Sequence, residues 1–171
     1  LRQTLYLFIE VFLPYYVASR ALRNLSDFKD ALFAFVVAAM VMSLIGLFEY
    51  SRNWLLYSGL NNALGMQWDM STYLTRGGSL RASVTTGQAI ALGFVISVAS
   101  GLYLYLQEDV RSRLQRGLGA LLLAGGLYAP LSRGPWVGTA VMIVVFIGTG
   151  RKAVKRLMLL ALAGVLSLPL L

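Results

Sequence analysis

About six apolar segments, separated by connections that hold most of the charge, constrain this chain more than any single motif. A bilayer core of about 30 Å is crossed by roughly 20 apolar residues in a helix. On that measure the segments run about 4–19, 31–50, 85–106, 117–131, 136–150 and 157–171. Only 13% of the 171 residues are charged and 58% are hydrophobic, whereas a soluble domain carries about 25% charged residues. Too few charges remain to cover a water-facing surface. The expected fold class is therefore all-α, a polytopic transmembrane helical bundle forming a single integral-membrane domain over residues 1–171. The chain begins with Leu1 and stops inside an apolar run, so it reads as an internal piece truncated at both ends.

Orientation follows from the basic residues of the connections, which gather on the cytoplasmic side of a membrane protein. The first connection holds Arg20, Arg23 and Lys29, the third Arg111, Arg113 and Arg116, and the fifth Arg151, Lys152, Lys155 and Arg156. Those ten stand against four in the second and fourth, namely Arg52, Arg76, Arg81 and Arg133. The second and fourth connections are thus expected at the outer face. The net charge of +8 then belongs to contact with anionic membrane lipids rather than with nucleic acid. With no cysteine and no histidine, zinc and haem lose their usual ligands, and no metal or other cofactor is expected.

The long second connection, about 51–84, mixes polar and aromatic residues. Trp54, Leu55, Leu56, Tyr57 and Leu60 recur at helix-like spacing, followed by Trp68, Met70, Tyr73 and Leu74. This fits interfacial helices at the outer face, with a lid or a sugar-stacking surface as the functional alternative. Small residues at Ala89, Gly93, Ser97 and Gly101 form a stripe that admits a close neighbour. Gly125 with Gly126, and Gly134 with Gly138, carry the same packing signal.

The stretch PLSRGPWVG, Pro130 to Gly138, places an arginine in a turn that needs only its glycine and prolines. On the expected topology the third and fifth segments both start at the outer face. Each start is preceded by an arginine, Arg81 or Arg133, and by hydroxyl residues, Ser83 and Thr85 or Ser132. A helix start gathers unsatisfied N–H groups and partial positive charge, and arginine grips phosphates with its fork. The pair suits a multiply charged anion such as a pyrophosphate, the two arginines lining one outward cavity. Snorkelling to lipid head groups is the plainer role for each. Two acids fall within apolar segments. Glu49 has the depth to pair with Arg81 or Arg133, and Glu10, four residues before Pro14, stands beside a kink able to open a watered groove. Asp69 reads as a solvated loop acid.

The order of these motifs resembles the O-antigen ligase and polymerase family of bacterial polysaccharide-assembly membrane proteins. The resemblance rests on LSRGPWVG (Leu131 to Gly138), on LRASVTTGQAIALG (Leu80 to Gly93) with its outer-face arginine, and on FLPYYVASRAL (Phe12 to Leu22). It implies a glycosyltransferase of the bacterial inner membrane, active at the periplasmic or extracellular face without a metal. The donor it implies is an undecaprenyl-pyrophosphate-linked glycan. The acceptor is a sugar hydroxyl on lipid A–core or on a growing glycan chain, as in lipopolysaccharide and cell-envelope assembly. Arg133 and Arg81 match the family's pyrophosphate-binding arginines, the catalytic pair, with Ser132, Ser83, Thr85, Arg76 and Glu49 as substrate-binding neighbours. Ligases of that family use a histidine in a later outer segment. This chain has none, so that segment lies beyond Leu171 or another base serves, and the fragment alone is expected to be inactive. The alternatives are a multi-pass transporter or permease, including one for lipid-linked sugars, and a non-catalytic membrane scaffold.

Overall fold

The computed structural model describes residues 2–65, 73–110 and 112–148. The expected sixth segment, together with Trp68, Asp69, Met70 and Arg111, lies outside the described residues.

Helix α1 (Arg2–Leu7) continues through a wider π turn, Phe8–Phe12, into α2 (Leu13–Ala21). The cause is Pro14, which lacks an N–H and crowds the carbonyl four residues back, that of Glu10. A π turn absorbs that conflict, and the Leu13 amide donates to the Phe8 carbonyl instead. The helical path is continuous through this turn, with Phe12 and Leu13 in the right-handed helical region, and Glu10 is exposed, as is every side chain from Gln3 to Ala21.

Helix α3 (Leu25–Arg52) starts with a capping box, in which Asn24 and Asp27 exchange side-chain and backbone hydrogen bonds. It ends at Asn53, in the left-handed region at φ 50°. After the short α4 (Leu56–Ala63) comes an antiparallel hairpin of β1 (Thr75–Arg76) and β2 (Ser79–Leu80). Its turn is Gly77–Gly78 at φ 60° and 82°, positive values that tight hairpin turns demand and glycine adopts without strain. A 3₁₀ turn at Val84–Thr86 leads to α5 (Ala89–Leu106), followed by a second 3₁₀ turn, Gln107–Asp109, then α6 (Arg113–Tyr128) and α7 (Arg133–Gly148). The third apolar segment therefore enters its helix four residues later than 85, because Gly87, at φ 69°, breaks the path.

By length and composition two helices are able to cross a membrane, α3 and the stretch Ala89–Asp109, while α7 is shorter and apolar. The packing is made by small residues. Gly93 faces Pro135, Ser97 bonds to Thr139 and Gly101 faces Met142, so α5 and α7 run parallel, side by side. Gly125 meets Leu47, Gly126 meets Ser43 and Gly119 meets Met40, which sets α6 parallel to α3. A side chain at any of these positions would hold the partner off, so close backbone approach is bought by missing Cβ atoms. The core between the helices contains Val36, Ala39, Leu92, Ile96, Ala99 and Leu123. Outward faces are apolar as well: Phe33, Val37, Val41 and Leu44 on α3, Ile90, Phe94 and Val98 on α5, Val137, Val141 and Val145 on α7 are all exposed.

One end of the bundle, the loop end, collects the C-termini of α3 and α6, the N-termini of α5 and α7, α4 and the hairpin. The other end carries Lys29, Asp109 and Arg116.

Candidate functional site at the loop end

The turn between α6 and α7 is built by two arginines from the preceding connection. Arg81 donates from Nε to the Pro130 carbonyl at 3.0 Å and from Nη2 to Ser132 Oγ at 2.7 Å. Arg76, carried on β1, donates to the Leu131 carbonyl at 2.6 Å. Leu131 sits at φ 49°, a left-handed conformation uncommon outside glycine, and its carbonyl and its neighbour's are the ones clamped. Ser132 is buried and its hydroxyl donates a hydrogen bond to the Pro130 carbonyl at 3.2 Å. Arg76 and Ser132, expected as ligand contacts, are engaged in holding the turn.

Arg81 lies part-buried, with two of its five N–H donors accounted for by these bonds. It also lines a cavity of about 260 Å³ together with Leu74, Ser83, Gly87, Gln88, Ala89 and Ile90. Ser83 is 3% exposed, and its hydroxyl has no hydrogen-bond partner among the described residues. A buried hydroxyl left without a partner costs free energy of about 1–3 kcal/mol. The same cavity meets the first turn of α5. There Gln88 is the N-cap but makes no side-chain capping bond, and the first helical bond runs from the Leu92 amide to the Gln88 carbonyl. The amides of the preceding positions are left for a ligand or water. Arg81, Ser83 and the uncapped start of α5 thus border one small space.

Arg133 is the first residue of α7 and is exposed. It shares the end of the bundle with Arg81, but it is not among the walls of the Arg81 cavity, so the expectation of one cavity lined by both is corrected. The reason is that Ser132 and Pro135 turn inward, the latter onto Gly93, which leaves Arg133 on the outward side of the helix start. Thr85 is exposed and likewise outside the cavity's walls; its neighbour Thr86 instead donates to the Ser83 and Gln88 carbonyls at 2.6 and 2.9 Å.

Glu49 is corrected more sharply. Its carboxylate, 0% exposed, touches neither Arg81 nor Arg133. Oε1 accepts the Leu56 amide at 3.1 Å, and Oε2 accepts the amides of Ser83 at 3.1 Å and Val84 at 3.0 Å. Among the described residues the ion pair is Lys29–Asp109, at the opposite end. Among the described residues the loop end therefore sets four arginines, Arg52, Arg76, Arg81 and Arg133, against one carboxylate already saturated by backbone. That imbalance favours an anion.

Two contributors escaped the sequence reading. Asn53 accepts the Leu80 amide through Oδ1 at 2.9 Å and so ties the hairpin to the end of α3. Gly77–Gly78, a two-residue glycine turn between short strands, is the signal that reveals the hairpin. Another cavity of about 260 Å³, lined by Ser100, Gly101, Leu104, Leu123, Thr139 and Met142 among others, has no charged wall and offers an anion nothing. Comparison of the chain with protein-family models, with curated proteins and with solved structures finds no match.

Proposed function

We propose that the chain is part of a multi-pass membrane glycosyltransferase of the O-antigen ligase or polymerase type, embedded in the bacterial inner membrane with its loop end outward. The cavity bordered by Arg81, Ser83 and the uncapped start of α5 carries this reading. A space of that size and charge suits the pyrophosphate of a polyprenyl-linked glycan donor rather than the glycan itself. The apolar outward faces of α3, α5 and α7 support a lipid surrounding, and Arg133, exposed at the neighbouring helix start, stands ready for a second part of the same donor.

In the proposed reaction the oxygen of an acceptor sugar hydroxyl, on lipid A–core or a glycan chain, forms a bond to the anomeric carbon. The bond from that carbon to the pyrophosphate oxygen breaks, and polyprenyl pyrophosphate departs with the electron pair. The hydroxyl proton passes to a general base. Arg81, Arg133 and the α5 amides neutralise the charge that grows on the leaving group, a contribution of about 2.7–4 kcal/mol per preorganised donor. The competing transporter reading leaned on Glu10 and Pro14, where the helix runs on without a break.

The test uses the full-length protein in its host, with Arg133→Lys and Arg133→Ala followed by surface polysaccharide on gels at matched protein level. Polymer is expected to disappear in Arg133→Ala and to fall strongly in Arg133→Lys, which keeps the charge but not the fork. Normal polymer in Arg133→Ala would remove Arg133 from the reaction.

A further inference from the structure

Glu49 buries a carboxylate that the proposed chemistry does not use. An anion taken fully out of water needs strong compensation, and here it comes from three amides of two separate loops. One belongs to the start of α4; the other two are successive amides of the Ser83–Val84 turn. Val84 sits at φ 49°. For a β-branched residue that is a true outlier, and such a conformation persists only where its surroundings over-determine it. Its own amide and the one before it are the two held by Oε2. The side chain is pinned too, 2% exposed, with Gly46 of α3 beneath it.

We propose that Glu49 is a positioning residue, whose carboxylate holds the Ser83–Val84 turn in the strained form that sets Ser83 in the wall of the cavity beside Arg81 and the start of α5. The proposal rests on that cavity being the anion site. The chain from Arg81 to Val84 is also held by the Arg81 amide on the Leu74 carbonyl at 2.9 Å, the Ala82 amide on the Ala129 carbonyl at 3.2 Å, the Arg81 clamp on Pro130 and Ser132, and the Thr86 amide and hydroxyl on the Ser83 carbonyl at 3.2 and 2.6 Å. These bonds fix the Ser83 carbonyl and the chain before it, whereas the amides of Ser83 and Val84 are held by Glu49, so the strained turn depends on the carboxylate. Glutamine cannot replace the carboxylate here. Its single oxygen serves one side, and its NH₂ then faces an amide donor on the other.

The experiment measures inorganic pyrophosphate binding by calorimetry to the purified full-length protein in detergent micelles. Glu49→Gln is expected to weaken binding about tenfold or more, the cost of the turn relaxing, while the melting transition without ligand shows the fold retained. Val84→Gly alone is expected to bind within about twofold of the parent. In the double variant most of the affinity returns, because glycine takes a positive φ without strain. A role in fold stability alone would give no such rescue.

Parent-like binding in Glu49→Gln, with binding lost in Arg81→Ala, overturns the positioning role and leaves the anion site standing. Parent-like binding in Arg81→Ala removes the anion site and the positioning role with it. Should Glu49→Gln not fold, the double variant decides: folded and binding supports the proposal, folded without binding overturns it.

Discussion

The two ends of the bundle use the same residue types to opposite purpose. At the opposite end, Lys29 and Asp109 meet at 3.5 Å with their side chains 40% and 67% exposed, and Arg116 reaches back to the carbonyls of Val110 and Glu108 at 2.6 and 3.3 Å. At the loop end the acid is entirely buried, Arg76 and Arg81 grip backbone carbonyls, and three non-glycine residues, Asn53, Val84 and Leu131, are held at positive φ. Water screens the first arrangement and leaves it cheap to alter. The Glu49 cluster of the second is excluded from water, so each bond there depends on its neighbours. Strain and unsatisfied groups collect where a site is built, and charge pairs that merely decorate a surface collect where it is not.

Several substitutions would break or sharpen that contrast. The largest effect is expected from Arg81→Ala, which empties the cavity of its cation and frees the Pro130 carbonyl and Ser132 hydroxyl together. Polysaccharide output of the full-length protein should fall by about a hundredfold or more, the scale seen when a preorganised donor is removed. Output within a few-fold of the parent would reduce the loop end to a structural knot. Next comes Gly126→Ala, whose new Cβ would run into the Ser43 side chain and the backbone behind it. Overpacking at such a contact costs about 1–3 kcal/mol, readable as a lower resistance to denaturant in micelles.

Its counterpart near the opposite end has the other sign. A Cβ at Gly117 of α6 meets nothing within 4 Å, so Gly117→Ala should stabilise by about 0.5–1 kcal/mol through helix propensity. Smallest of all, Asp109→Asn removes the exposed ion pair and should change stability by less than about 1 kcal/mol, an effect that added salt should shrink further. If Asp109→Asn proved as costly as Gly126→Ala, the contrast between the ends would not stand.

Much of this arrangement was legible in order. The apolar segments located α3, α5, α6 and α7, of which α3 and the stretch from Ala89 to Asp109 are long and apolar enough to cross a bilayer, where a backbone has few options but helix. The spacing of Ala89, Gly93, Ser97 and Gly101 marked the face of α5 that receives α7, because removing Cβ atoms has one geometrical consequence. The double glycine at Gly77–Gly78 was equally readable as a hairpin turn and went unread amid the aromatic residues around it.

What the chain could not disclose alone was which partner each polar group takes. Glu49 and the arginines are near in depth, and opposite charge made their pairing the natural expectation. Tertiary structure instead brought the Ser83 and Val84 amides, 34 and 35 residues away, onto the carboxylate and turned Arg81 toward the Pro130 carbonyl. Composition and periodicity decide how many helices form and which faces are apolar, because those are local, additive properties. Hydrogen-bond partners inside a buried cluster are decided by distance and direction among segments far apart in sequence, and these exist only once the helices have packed.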